Sequence, residues 1–164
     1  MTAYPVSWTA EKSIRGRVPV WLPYAVISPD PSMTQCAYGL GADRQSARMA
    51  RDFTLTTLRD WGLEELAFDI ELVVSELVTN ALRHAVPHLA SSRPIRLRLL
   101  HHAAHVVCAV YDPSDKSPVI TAGDEFAESG RGLHLVEALA AGWGWTLLRP
   151  GKVVWAAFSD TPIQ

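Results

Sequence analysis

The stretch from residue 68 to residue 85, FDIELVVSELVTNALRHA, constrains the fold of this chain more than any other. Its apolar residues recur at helical spacing, which predicts a helix with a buried stripe formed by Ile70, Val74, Leu77, Val78, Ala81 and Ala85. The same projection predicts a polar stripe of Asp69, Glu76, Asn80 and Arg83. Glu76 and Asn80 are four residues apart, so a carboxylate and an amide lie one above the other. Leu72 and Val73 flank this stripe, so we expect it to be partly shielded from solvent.

Two interpretations of the Glu76–Asn80 pair are open at this point. A carboxylate beside an amide oxygen on a partly shielded surface is the composition of a general base next to a ligand for a hard cation. The pair also fits the ordinary polar side of an amphipathic helix. The helix alone favours this second interpretation, so residues elsewhere in the chain decide between the two.

Composition narrows the class of protein. The chain has 164 residues, of which 48% are hydrophobic and 20% charged, and these values predict one globular domain. The net charge of −2 argues against nucleic acid as a partner, because phosphate binding needs a basic excess. The sequence has no apolar run of about 18 residues and no signal-peptide pattern, so we expect no membrane association and a cytoplasmic location.

The cysteines and histidines do not predict a metal site. Cys36 and Cys108 belong to no CxxC pattern, so we expect neither a disulfide nor a zinc site. His101, His102 and His105 lie around a predicted turn without the spacing of a metal-binding motif.

The order of the predicted elements indicates the fold class. Residues 1–32 contain five prolines and four aromatic residues, and we expect an N-terminal arm or tail without a long helix. The remaining pattern predicts strands at 33–40, 95–99, 106–112, 143–148 and 153–158, and helices at 43–61, 68–85 and 130–140, with a hairpin turn that includes Gly151 and Lys152. This order predicts a domain at 33–160 with an α+β fold. We expect a two-layer α/β sandwich with a mixed, mostly antiparallel sheet and helices on one face.

Two further features bear on chemistry. Asp112 ends a strand whose same-face neighbours are apolar, so its carboxylate needs a donor. It either begins a turn at Pro113 or accepts the exocyclic amino group of a purine. Gly130-Arg131-Gly132 opens a helix, which exposes backbone N–H groups that suit phosphate, although glycine pairs also make ordinary turns.

These features together resemble the GHKL (Bergerat-fold) ATP-binding superfamily. A helix with Glu-x-x-x-Asn precedes a strand that ends in Asp, and a Gly-Arg-Gly-Leu turn follows. Three segments are similar to the anti-sigma regulatory factor branch of this superfamily: VSELVTNALRHA at 74–85, ESGRGLHLV at 128–136 and GKVVW at 151–155. Members of that branch are ATP-binding serine/threonine kinases or kinase-like modules. The resemblance covers roughly residues 33–160.

The resemblance implies ATP and Mg²⁺ as ligands and assigns a role to each matching residue. Glu76 corresponds to the catalytic base and Asn80 to the Mg²⁺ ligand, and residues 113–129 correspond to a short lid over ATP. The other implied ATP-binding residues are Asp112 as the carboxylate that recognises adenine, Ser114 after it, Gly130, Arg131, Gly132 and Leu133 near the phosphates, and His84 at the pocket wall. A packing role for His84 is equally compatible with its position.

The chain departs from the family pattern at two positions. Asp112-Pro113-Ser114 stands where Asp-x-Gly is usual, and serine adopts positive φ less readily than glycine. No threonine corresponds to the one often found in a late strand, near Val153.

Two functions follow from the resemblance. The first is a kinase that phosphorylates an anti-sigma-factor antagonist and regulates a sigma factor, and the second is an ATP-binding interaction module with little or no phosphoryl transfer. The resemblance also implies a homodimer.

Overall fold

Six strands form one antiparallel sheet at the centre of the fold. The computed structural model describes residues 12–85, 95–114, 116, 118, 131–148 and 150–161. Within these ranges the strands are β1 (Lys12–Gly16), β2 (Thr34–Leu40), β3 (Ile95–His102), β4 (His105–Asp112), β5 (Gly142–Leu147) and β6 (Lys152–Ser159), in the spatial order β1-β5-β6-β4-β3-β2. Each of the five pairings is antiparallel. The predicted α+β sandwich is therefore confirmed.

Three helices pack on one face of this sheet. They are α2 (Gln45–Asp60), α3 (Ala67–Ala85), which follows a 3₁₀ turn at Glu64–Leu66, and α4 (Arg131–Leu139). The central helix α3 is the one that the apolar periodicity predicts, and it buries Ile70, Val73, Val74, Leu77, Val78 and Ala81. Val73, expected to flank the polar stripe, is fully buried against the sheet. The asparagine and glutamate of the polar stripe are half-buried.

The hairpin of β3 and β4 decides which side chains face the helices. Ala103 and Ala104 connect the two strands with φ values of 47° and 60°, as a two-residue primed turn requires. The resulting register places Val106, Cys108 and Val110 in the core beneath the helices. Because side chains alternate along a strand, Asp112 at the end of β4 faces the same layer.

The opposite face of the sheet is covered by the segment that precedes β2. Strand β1 pairs with β5, and the chain then forms a short helix, α1 (Leu22–Ala25). Leu22 and Ala25 of α1 and the following Val26 are buried in a second hydrophobic cluster on this face, which includes Trp155 of β6. The division into an arm at 1–32 and a domain at 33–160 stays a prediction.

No helix in the described parts of the chain has both the length and the apolar character needed to cross a membrane.

Candidate functional site

A cavity opens between α3 and the sheet, at the end of β4. It encloses about 460 Å³, including its open mouth. Its walls are formed by Leu77, Asn80, Ala81 and His84 of α3, Val110 and Asp112 of β4, Pro118, Leu133 of α4, and Lys152 and Val154 of β6. Four of the predicted ATP-binding residues, Asn80, His84, Asp112 and Leu133, therefore line one space.

Asp112 forms the deepest polar group of the cavity, with a side chain that is 1% exposed. Its Oδ1 accepts hydrogen bonds from the backbone N–H of Ser114 at 2.8 Å and from Nζ of Lys152 at 3.1 Å. Burial raises the pKa of Asp112 above its ordinary value, and the nearby ammonium of Lys152 opposes this shift. The carboxylate is thus held by two donors in a desolvated position.

Lys152 is the site residue that the sequence analysis missed. It is the first residue of β6 rather than only part of a turn, and it lies directly opposite Asp112 in the β4–β6 register. Its side chain is 3% exposed. The alternation of side chains along β6 could have indicated that Lys152 is buried. Lys152 lies on the same face of the strand as Val154, Ala156 and Phe158 of the helix-side core. A cation at such a position needs a buried counter-charge, and Asp112 supplies it.

Ser114 occupies the position where the family pattern has glycine. It is fully buried, and its hydroxyl accepts a hydrogen bond from the backbone N–H of Lys116 at 3.2 Å. Among the described residues, Ala103 and Ala104 are the non-glycine residues with positive φ, and Ser114 is not one of them. The backbone at Ser114 therefore does not adopt the conformation that favours glycine, and this reason for an altered approach of a purine does not apply.

Glu76 and Asn80 lie at the start of α4. A Cβ atom added to Gly132 would come within 2.5 Å of Oε2 of Glu76 and 3.6 Å of Nδ2 of Asn80. The absence of a side chain at Gly132 therefore leaves room for the Glu76 carboxylate. Glu76, Asn80 and Gly132, which the resemblance assigns to one ATP site, lie next to each other. Among the described residues neither Glu76 nor Asn80 has a hydrogen bond or an ion pair, so both are available to a ligand.

His84 lies at the rim of the cavity, one turn beyond Asn80. Much of its surface is exposed, yet partial burial of the imidazole lowers its pKa, and the positive charge of Lys152 adds to this effect. The imidazole is therefore neutral at pH 7.

Part of the predicted site lies outside the described residues. This applies to Gly130, to most of the predicted lid at 113–129 and to the side chain of Arg131. Their assigned roles stay predictions.

The chain is similar to one protein family and to a solved structure. The family model described as a histidine kinase-like ATPase domain matches residues 40–158. A solved structure, the RsbU and RsbW domains of Rv1364c from Mycobacterium tuberculosis, is similar at a TM-score of 0.47 and 18% sequence identity. The similarity covers 77% of this chain and 32% of that chain. No curated protein matches the chain.

The matched range runs from the last residue of β2 to the penultimate residue of β6, and so includes α2, α3, α4 and every residue named in the cavity wall. The chain belongs to the family of histidine kinase-like ATPase domains, an ATP-binding family.

Proposed function

We propose that this protein is an ATP-dependent serine/threonine kinase of the anti-sigma type. In this proposal it phosphorylates an anti-sigma-factor antagonist and thereby regulates a sigma factor. ATP occupies the cavity between α3 and the sheet, with its adenine at Asp112 and its phosphates toward Glu76 and Asn80. The proposal extends the family assignment with the sequence resemblance to the anti-sigma branch, which supplies the class of substrate and partner.

One observation carries the proposal. Asn80 lines the cavity and lies with Glu76 against Gly132 at the beginning of α4, while Asp112 lines the cavity from the end of β4. The beginning of a helix favours negative charge, because its first N–H groups are unpaired and its dipole is positive there. A ligand with a polar base and a phosphate chain is matched by this distribution of acceptors and donors.

Glu76 is the group suited to accept the proton of the substrate hydroxyl. The hydroxyl oxygen forms a bond to the γ-phosphorus as the bond from that phosphorus to the β–γ bridging oxygen breaks, and ADP leaves with the electron pair. The proton passes to the Glu76 carboxylate, which is half-buried and has no competing donor among the described residues.

Asn80 fits the role of a magnesium ligand. Its amide lines the cavity, and an amide oxygen is a hard donor of the kind that Mg²⁺ takes alongside phosphate oxygens and water. When bound, Mg²⁺ would neutralise charge on the phosphates. One protein ligand is consistent with a cation that is carried mainly by the nucleotide.

Phosphorylation explains how such a kinase acts on a partner. A phosphate group on the antagonist carries about two negative charges at neutral pH. These charges weaken an interface that forms with the unphosphorylated antagonist. The kinase would then be released to bind its sigma factor.

A second candidate function is an ATP-binding interaction module with little or no phosphoryl transfer. The observation that favours it is the side chain of Ser114, which is fully buried at the position where the family pattern has glycine. The intact pair of Glu76 and Asn80 favours the kinase.

Transfer of labelled phosphate from ATP to a candidate antagonist separates the two functions. Glu76→Gln should reduce transfer by about 10²–10⁴-fold, the usual contribution of a general base, and should leave ATP affinity nearly unchanged. Glu71→Gln is the matched control, because this half-buried glutamate of α3 neither lines the cavity nor lies among the atoms nearest to Gly132. ATP binding without transfer to any antagonist would contradict the kinase and support the module.

A further inference from the structure

The ammonium of Lys152 is only partly satisfied. It is buried with a side-chain exposure of 3%, and among the described residues its single hydrogen bond goes to Oδ1 of Asp112. An ammonium carries three N–H donors, and a buried donor without an acceptor is unfavourable. Because Lys152 lines the cavity, an acceptor on the bound ligand can complete its coordination.

Asp112 has a carboxylate oxygen that accepts no hydrogen bond from the described residues. Its Oδ1 accepts from both Lys152 and the Ser114 backbone, and the second carboxylate oxygen, Oδ2, has no donor among the described residues. The cavity wall therefore presents a donor and an acceptor side by side, both on side chains that are almost completely buried.

We infer that Lys152 recognises the adenine ring by donating a hydrogen bond to N1, while Asp112 accepts one from the N6 amino group. Adenine has an acceptor at N1 next to the donor at N6 on one edge, so its edge matches the adjacent ammonium and carboxylate. This inference rests on the proposed function, in which the cavity holds ATP. It adds Lys152 as a determinant of base specificity, beside the aspartate whose role the resemblance implies.

The position of Lys152 favours the base over the phosphates as its target. Lys152 contacts Asp112, whereas the beginning of α4, the part of the site that suits anions, lies against Glu76 and Asn80. A lysine that only neutralised Asp112 would not respond to the chemistry of the N1 position. The two roles therefore give different predictions for one pair of ligands.

The test compares ATP with 1-deaza-ATP, in which a C–H group replaces N1. Affinities are measured by calorimetry for the full chain and for Lys152→Met, Lys152→Gln and Lys12→Met. The unaltered protein should bind ATP at least roughly tenfold more tightly than 1-deaza-ATP, as expected for loss of a charge-assisted hydrogen bond. This ratio should fall to about one in Lys152→Met. In Lys152→Gln, which replaces the ammonium with a neutral donor, the ratio should fall below that of the unaltered protein but remain above one.

Lys12→Met removes a lysine of β1 that is not among the residues of the cavity wall, and it should keep the ratio of the unaltered protein. Lys152→Gln preserves a hydrogen bond to Asp112, so it provides the answer if Lys152→Met does not fold. Equal affinity of the unaltered protein for both ligands would overturn the inference, and so would an unchanged ratio in every Lys152 variant that folds. Either result leaves the proposed function intact as long as ATP binds. Absence of binding by both nucleotides would instead contradict the proposed function.

Discussion

The two ends of the cavity are built in different ways. At the base end, formed by Asp112, Lys152 and Ser114, the polar groups are almost completely buried and bonded to one another. At the proposed phosphate end, where Asn80 lines the cavity next to Glu76 and Gly132, the carboxylate and the amide are half-buried and have no hydrogen-bond partner among the described residues. One end is held by ionic contacts within the protein, and the other by the close approach of two helices.

This difference indicates where a substitution affects stability and where it affects function. Removing one partner of a buried ion pair leaves the other charge unpaired, so changes at the base end should destabilise the fold. The side chains of Glu76 and Asn80 form no hydrogen bonds with the described residues, so substitutions there should change activity and leave the fold stable. The two ends can therefore be distinguished by parallel measurements of stability and activity.

The largest effect on stability is expected for Lys152→Met. The substitution leaves the Asp112 carboxylate buried without its cation, and we expect a loss of about 3 kcal/mol in the free energy of unfolding at pH 7. The double variant Asp112→Asn with Lys152→Met should regain most of this loss, because no isolated charge remains. Urea unfolding of the three proteins measures both values.

The deficit of Lys152→Met should shrink as the pH falls. In the unaltered protein, the ammonium of Lys152 lowers the pKa of Asp112 and so opposes the effect of burial. Without this ammonium, the pKa of Asp112 is raised further in the variant. A group with a raised pKa in the folded state gives stability below its unfolded pKa and loses it as the pH rises through the folded pKa. A deficit that stays constant or grows toward pH 4 would show that Asp112 is not the group left unpaired.

The next largest effect is expected for Gly132→Ala, which should reduce activity without reducing stability. The new methyl group would overlap Oε2 of Glu76, and this flexible side chain can move aside. We expect phosphoryl transfer to fall by about tenfold or more, because the base is displaced from its position. The free energy of unfolding should stay the same or rise by up to about 1 kcal/mol, since alanine is the better helix former.

Gly62→Ala is an instructive contrast. Gly62 has a φ of +71° and follows α2, so alanine is strained there although no atom lies nearby. This variant should lose stability and keep its activity per folded molecule. If Gly132→Ala instead unfolds the protein and keeps the specific activity of its folded fraction, the proposed distinction between the two ends does not hold.

The smallest effect is expected for His84, at the rim between the two ends. Its pKa is lowered by partial burial and by Lys152, so the unfolded chain takes up a proton at a higher pH than the folded chain does. Stability should therefore decrease as the pH falls from 6.5 through the folded pKa of His84. In His84→Gln this slope should be shallower, as measured by thermal unfolding between pH 7.5 and pH 5.5. Identical slopes would indicate an ordinary histidine.

The sequence predicted those parts of the molecule that follow from local periodicity. The 3.6-residue pattern located α3, and the alternation in β4 placed Asp112 on the face of Val106, Cys108 and Val110. The helix predicted at 43–61 corresponds to α2, and Asp43, two residues before its first residue, accepts a hydrogen bond from the backbone N–H of Gln45 at 2.9 Å.

The remaining features depend on contacts between distant parts of the chain. The pairing of Lys12–Gly16 with β5 joins segments about 130 residues apart, and no local pattern specifies such a register. The ion pair of Lys152 and Asp112 needs the β4–β6 register, and the approach of Gly132 to Glu76 needs the packing of α4 on α3. Proximity of this kind is a property of the assembled layers.

A nucleotide titration with and without Mg²⁺ tests the central claim most directly. The unaltered protein should bind ATP, and Mg²⁺ should increase its affinity. In Asn80→Ala this increase should be largely lost, because the variant lacks the proposed ligand to the cation. If Asn80→Ala binds ATP with Mg²⁺ as tightly as the unaltered protein does, or if neither binds ATP, the assignment of this cavity as the ATP site is wrong.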